Sequence, residues 1–231
     1  MVTKDGKVGI ITQSGKTKVG LIYDEIKLMD NSKNLYMIRK DGKYGVIDNT
    51  GKILIHPEYK KIGIDASQFK ENEIKNSYIL LNTLIPVQKE ELWGFVNISG
   101  NQITDFEYTA IGYLEASSTT GSNLLLVPDY DVIIVKKDEK YTAINARGEK
   151  IWPAAFDAIY MTITSGEKEY TMSGNNKTWN LIQKLEEQGI GKKKTKENAN
   201  SNNTADTENT NTNESANTTN KSNNTLEAIT Q

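Results

Sequence analysis

Lys40-Asp41-Gly42-Lys43-Tyr44-Gly45-Val46-Ile47-Asp48-Asn49-Thr50-Gly51-Lys52 decides the fold of this chain. Asp41-Gly42 supplies the positive φ of a tight hairpin connection. Tyr44 to Asp48 then reads as a short strand of aromatic and β-branched residues, Asn49 to Lys52 as a second turn, and Ile53-Leu54-Ile55 as a returning strand. His56-Pro57 closes that strand, because proline cannot donate to a central ladder.

Working outward, one ruler recurs from Val8, Tyr44, Trp93 and Tyr141. A turn glycine stands seven residues on (Gly15, Gly51, Gly100, Gly148), an aromatic at fifteen (Tyr23, Tyr59, Tyr108, Phe156) and an isoleucine at eighteen (Ile26, Ile62, Ile111, Ile159). Fixed self-similarity of this kind marks a repeat array. The starts lie 36, 49 and 48 residues apart, so the hairpin is constant while the connections vary in length. Strands also precede the later copies at Tyr36-Met37-Ile38, Leu84 to Val87 and Val132 to Val135.

The expected architecture is all-β: an array of four hairpin or meander repeats, either an open solenoid or a small propeller-like ring, within residues 1–191. The units fall near residues 4–35, 36–83, 84–131 and 132–176. Two connections are long, Ile64 to Asn76 and Glu115 to Asn123, and variable connections lie at the surface. In the first, Asp65 followed by Gln68 suggests a short capped helix with Phe69 facing inward. A capping helix is expected at residues 178–188, with Thr178 as cap, Trp179, Ile182 and Leu185 on one face and Gly189 as stop. Residues 192–231 take 23 of their 40 side chains from Asn, Thr and Ser and include no aromatic, which reads as a disordered tail opened by Lys192-Lys193-Lys194.

The run from Lys40 to Lys52, and again Trp93-Gly94-Phe95-Val96-Asn97, resembles the bacterial WG-repeat family, in which an aromatic-glycine pair opens a hairpin, a glycine turn follows and an aromatic closes the unit. The resemblance spans Lys4 to Tyr160. Copy one departs with Val8 at the aromatic position, and copy four with Thr142 where glycine is expected. What the resemblance implies is an all-β repeat with an interaction role and no catalytic residues to carry over.

Composition narrows the chemistry. The 231 residues are 36% apolar and 25% charged, with a net charge of −2 that gives no electrostatic reason to expect nucleic acid as partner. Zero cysteines exclude disulfides and thiolate chemistry and leave the compartment open. No apolar run reaches the length of a membrane span, and Met1 to Ile11 lacks the apolar core of a signal peptide. Met1 stands three residues before Lys4-Asp5-Gly6, so the reading leaves two compartments open: the cell envelope or exterior if an export segment is missing, otherwise the cytoplasm.

Four features invite a catalytic or binding reading. Gly9 to Thr17 almost spells a phosphate-binding loop, but five residues rather than four separate its glycines and no helix pattern follows. His56 is the only histidine, so no second histidine can join it in a metal site or pair with a serine in the usual triad, and its place before Pro57 at a strand end reads as a surface or boundary histidine. Asp129-Tyr130-Asp131 offers two oxygen donors, short of the six or more that calcium takes. Tyr44, Trp93 and Tyr141 are either repeated core or exposed stacking platforms for sugar rings, and their fixed register beside Val46, Phe95 and Ala143 favours core. The expectation is a non-enzymatic interaction or scaffold module that presents variable loops to a protein or cell-envelope partner, without catalytic, cofactor or metal residues. A carbohydrate-binding module using exposed aromatics is the alternative.

Overall fold

The computed structural model describes residues 1–117 and 121–193; the tail assigned to residues 192–231 lies outside them from Lys194 onward. Among the described residues, seventeen strands form five antiparallel sheets in chain order. The first holds β1 (Val2–Lys4), β2 (Lys7–Ile11) and β3 (Thr17–Tyr23), and the second β4 (Glu25–Asp30), β5 (Leu35–Lys40), β6 (Lys43–Asp48) and β7 (Ile53–Tyr59). The third holds β8 (Lys61–Ile62), β9 (Ile85–Lys89) and β10 (Leu92–Val96). In the fourth, β13 (Val132–Lys137) pairs with β11 (Ala110–Ile111), β12 (Leu126–Val127) and β14 (Lys140–Asn145). The fifth is β15 (Ala158–Thr164), β16 (Glu167–Gly174) and β17 (Lys177–Asn180), followed by helix α1 (Leu181–Glu187). This is the all-β array of hairpin units that the ruler predicts, and no barrel closes among the described residues.

Each mark of the ruler has a structural job. Positions zero and fifteen face each other across the hairpin in all four copies: Val8 with Tyr23, Tyr44 with Tyr59, Trp93 with Tyr108 and Tyr141 with Phe156. The isoleucine at eighteen starts the next sheet, in β4, β8, β11 and β15, so the last few residues of every copy tie one sheet to its successor. The glycine at seven has φ between 80° and 89° in every copy and donates its N–H to the carbonyl of the residue three before it.

The glycine of the aromatic-glycine pair answers a different demand. Opposite it the return strand bulges, and a Cβ on Gly45 would lie 2.6 Å from the carbonyl oxygen of Ile55. At Gly9 the same contact would be 2.7 Å from the Val19 oxygen. Copy four carries Thr142 here, fully buried, and its hydroxyl donates to the Trp152 carbonyl at 2.7 Å. Trp152 stands at the same mark as Val19 and Ile55, so the departure from the pattern replaces a steric exclusion by a hydrogen bond.

The core lies between consecutive sheets because side chains alternate along a strand. Two residues after the start, Val46, Phe95 and Ala143 pack forward; three after it, Ile47, Val96 and Ile144 pack back on the preceding sheet. Three expectations change. A fifth sheet stands where the ruler has no copy. The helix is capped by Asn180, whose side chain accepts from the Gln183 N–H at 3.0 Å, because Thr178 and Trp179 are still pairing with β16. And β7 runs through Pro57, which sits in the bulge where its missing donor costs no ladder bond.

Candidate functional site

The two long connections are not separate loops. Asp65 caps a 3-10 helix, Ala66–Phe69, accepting from the Ser67 N–H at 3.0 Å, and the buried Phe69 ring lies where a Cβ on Gly112 would come within 2.5 Å of it. Gly112, at φ 83°, directly follows Ile111 and leads into the second connection, whose residues 118–120 are outside the described residues. One aromatic is thus seated on the backbone of the other segment.

Two asparagines lock the pair. Asn72 donates to the Asn123 carbonyl at 3.1 Å and accepts from the N–H groups of Leu125 and Leu126 at 2.8 and 2.9 Å. Asn123 donates to the Gln68 carbonyl at 2.9 Å and accepts from the Ala116 N–H at 3.1 Å. Each side chain therefore satisfies backbone groups that irregular, partly buried chain would leave unpaired. A third segment joins them: Ser122 forms a bridge with Met161 of β15, and the Lys168 ammonium of β16 donates to the Glu71 carbonyl at 3.2 Å and pairs with Glu73 at 3.3 Å.

Several concavities open on this surface, and two of them gather charged or aromatic groups. One, of about 530 Å³, is lined by Glu71, Glu73, Asp129, Tyr130, Lys168 and Tyr170 among others. The second, of about 450 Å³, brings Trp93 together with Phe69, Ile111 and Leu114, and adds Asp65 and Gln68 at its rim. Carboxylates, ammonium groups and amphipathic rings in shallow clefts suit the recognition of a polar surface.

The sequence candidates scatter. Gly9 to Thr17 is the end of β2, the repeat turn and the start of β3, with no helix behind it. His56 is exposed on β7. Asp129 lies within a 3-10 turn at Pro128–Tyr130 and Asp131 follows it; they pair with Lys192, at 3.0 Å, and with Lys193 respectively. Among the described residues no group of three or more His, Asp or Glu is arranged to hold a metal, and no helix is long and apolar enough to cross a membrane.

The three aromatics part company. Tyr141 is 1% exposed, donates its hydroxyl to Glu115 at 2.8 Å and meets Tyr113 edge-on at 5.0 Å between centroids. Burial, reinforced by that carboxylate, pushes its phenol well above the ordinary range. Tyr44 and Trp93 are half-buried, and Trp93 reaches the second cleft. Sequence reasoning missed Asn72 and Asn123, which follow no repeat; the only local hint is that an asparagine amid apolar neighbours must bond something.

The family described as WG containing repeat matches residues 9–44, 44–72 and 93–115. The matched segments fall on the first three copies, while copy four, from Tyr141, keeps the geometry without the glycine. No curated protein and no solved structure matches the chain.

Proposed function

We propose that this WG-repeat protein is a non-enzymatic interaction module, and that its partner, a protein or a cell-envelope component, docks on the surface where the two long connections are joined. The observation that supports it is the mutual locking of those connections through Asn72 and Asn123: the array spends its irregular chain on one pre-formed surface. Preorganisation of that kind lowers the ordering cost of binding. Function is grafted onto such a scaffold through its connections rather than through the repeated hairpins.

The test compares retention of cell-lysate proteins and of purified cell wall by the native protein and by a Glu73→Lys/Lys168→Glu double variant. A protein partner lost by the variant at unchanged thermal stability supports the reading. Equal retention by both proteins would sink it. A glycan reading has one favourable feature, the Trp93 cleft; Trp93→Ala that lowers cell-wall retention while leaving the charge variant neutral would favour it instead.

A further inference from the structure

The chain that follows α1 runs across the candidate docking surface. Gly189, at φ 76°, ends the helix, and the N–H groups of Gly189 and Ile190 bond the carbonyls of Glu186 and Leu185 at 2.9 and 3.0 Å. Ile190 is half-buried on the same apolar cluster as Leu181 and Leu185. Gly191 then stands exposed, with open space where a Cβ would project. A single unhindered residue thus separates a firmly seated segment from Lys192 and Lys193.

Those two lysines are held by polar contacts between exposed groups. The Lys192 ammonium pairs with Asp129 at 3.0 Å, Lys193 pairs with Asp131, and the Lys193 N–H donates to the Asp129 carbonyl at 2.8 Å. The turn that receives them is fixed by other bonds: the Asp131 N–H donates to the Pro128 carbonyl at 3.2 Å, and the Tyr130 hydroxyl to Glu186 of α1 at 3.1 Å. Lys192 lines the cleft of about 530 Å³, while Lys193 lines a neighbouring one of about 260 Å³, and both clefts have Glu73, Leu126 and Pro128 in their walls. Consecutive side chains therefore sit in adjoining clefts. Exposed ion pairs contribute little, so this segment belongs to the part of the molecule that opens most readily.

We propose, on the reading that a partner docks on this surface, that residues 191–193 are a strap hinged at Gly191 and latched on Asp129 and Asp131, which narrows both clefts and is released when the partner seats. The two ends of the strap differ in the way such a device needs. Ile190 anchors one end in apolar packing that survives opening, and the latch at the other end consists of contacts that water can replace. The receptor turn keeps its shape in either state, because its own bonds to Pro128 and Glu186 do not involve the strap.

The chain has no cysteine, so one introduced thiol can report on the cleft. Ile182 of α1 lines the larger cleft and is half-buried, and the full chain carrying Ile182→Cys is labelled with iodoacetamide, an uncharged reagent. Adding Lys192→Glu/Lys193→Glu is expected to raise the labelling rate about threefold or more at an unchanged thermal midpoint, and adding Asp129→Lys/Asp131→Lys as well to restore the slow rate. Charge alone acts in the opposite direction, since removing lysines raises the thiol pKa and lowers the thiolate fraction. Equal rates with and without the lysine changes, or an acceleration that the compensating swap does not reverse, overturn the proposal. These readouts need no partner, so failure of the strap is distinguishable from failure of the docking reading. Where the native chain retains a lysate protein, the lysine variant is expected to retain more of it; less retention alongside faster labelling would make the strap part of the docking surface and overturn its role as a cover.

Discussion

At the scale of single residues, the repeat uses glycine for two separate reasons. The glycine at mark seven needs a left-handed backbone, and its neighbours add a second restriction whose strength differs by copy. Valine at Gly100 meets both a φ of 82° and the Leu54 carbonyl, at Gly51 a looser contact, and at Gly15 the backbone restriction alone. Gly100→Val and Gly51→Val are expected to destabilise by about 1 to 3 kcal/mol, in that order, and Gly15→Val by the least. Denaturant midpoints for the three variants check the ranking; equal midpoints would remove the role of the neighbouring unit. Thr142→Val keeps the shape, leaves the Trp152 carbonyl without its donor, and should cost about 1 to 3 kcal/mol in the same measurement. The need for glycine at mark seven was legible from its recurrence. The reason for glycine beside the aromatic was not, since it lies in a bulge on the opposite strand.

At the scale of the element, the second turn is held by an acceptor at mark four that the ruler did not include. Asp48 accepts from the N–H groups of Thr50 and Lys52, Asn97 from those of Ser99 and Asn101, and Asn145 from those of Arg147 and Glu149; in copy one the Thr12 hydroxyl accepts from Lys16. Only Asp48 titrates. The Thr50 hydroxyl, followed by those backbone groups, holds its carboxyl below the ordinary aspartate value. A depressed folded pKa contributes stability that is present above the unfolded value and is lost as the pH falls through the folded one. Asp48→Asn is therefore expected to flatten the acid limb of the stability curve at and below the ordinary aspartate range, by less than about 1 kcal/mol after solvent screening. Urea unfolding from neutral pH to pH 3 reads this, and an unchanged acid limb would refute it. The hairpin elements were visible in the sequence because their signals are local: positive-φ turn residues, alternation and a fixed spacing. The fifth sheet was hidden, because β15 to β17 share no ruler residue beyond Ile159, and Trp179 reads equally well on a helix face or, as found, on a strand.

For the whole molecule, stability and the candidate surface meet at Asn72. Asn72→Ala leaves the N–H groups of Leu125 and Leu126 without their acceptor in a buried setting, so a loss of about 2 to 4 kcal/mol is expected, read as a lower unfolding midpoint. Asn123→Ala, at an exposed bond to Gln68, should cost less. If the two variants unfolded alike, the connections would not be joined through Asn72. The sequence alone determined that the chain is a β-array, where its turns lie, and that positions fifteen and eighteen anchor its core, because each of those properties is written in residues within one turn or one hairpin of each other. The tertiary structure alone decided that consecutive sheets pack forward through mark two and back through mark three, that two distant connections make one surface, and that Tyr141 is buried while Trp93 reaches a cleft. Those outcomes depend on contacts between residues about fifty positions apart, such as Asn72 with Asn123, for which no short-range pattern exists. Which of several similar aromatics is covered is set by what the neighbouring unit brings against it, and the hairpin that carries the aromatic holds no record of its neighbour.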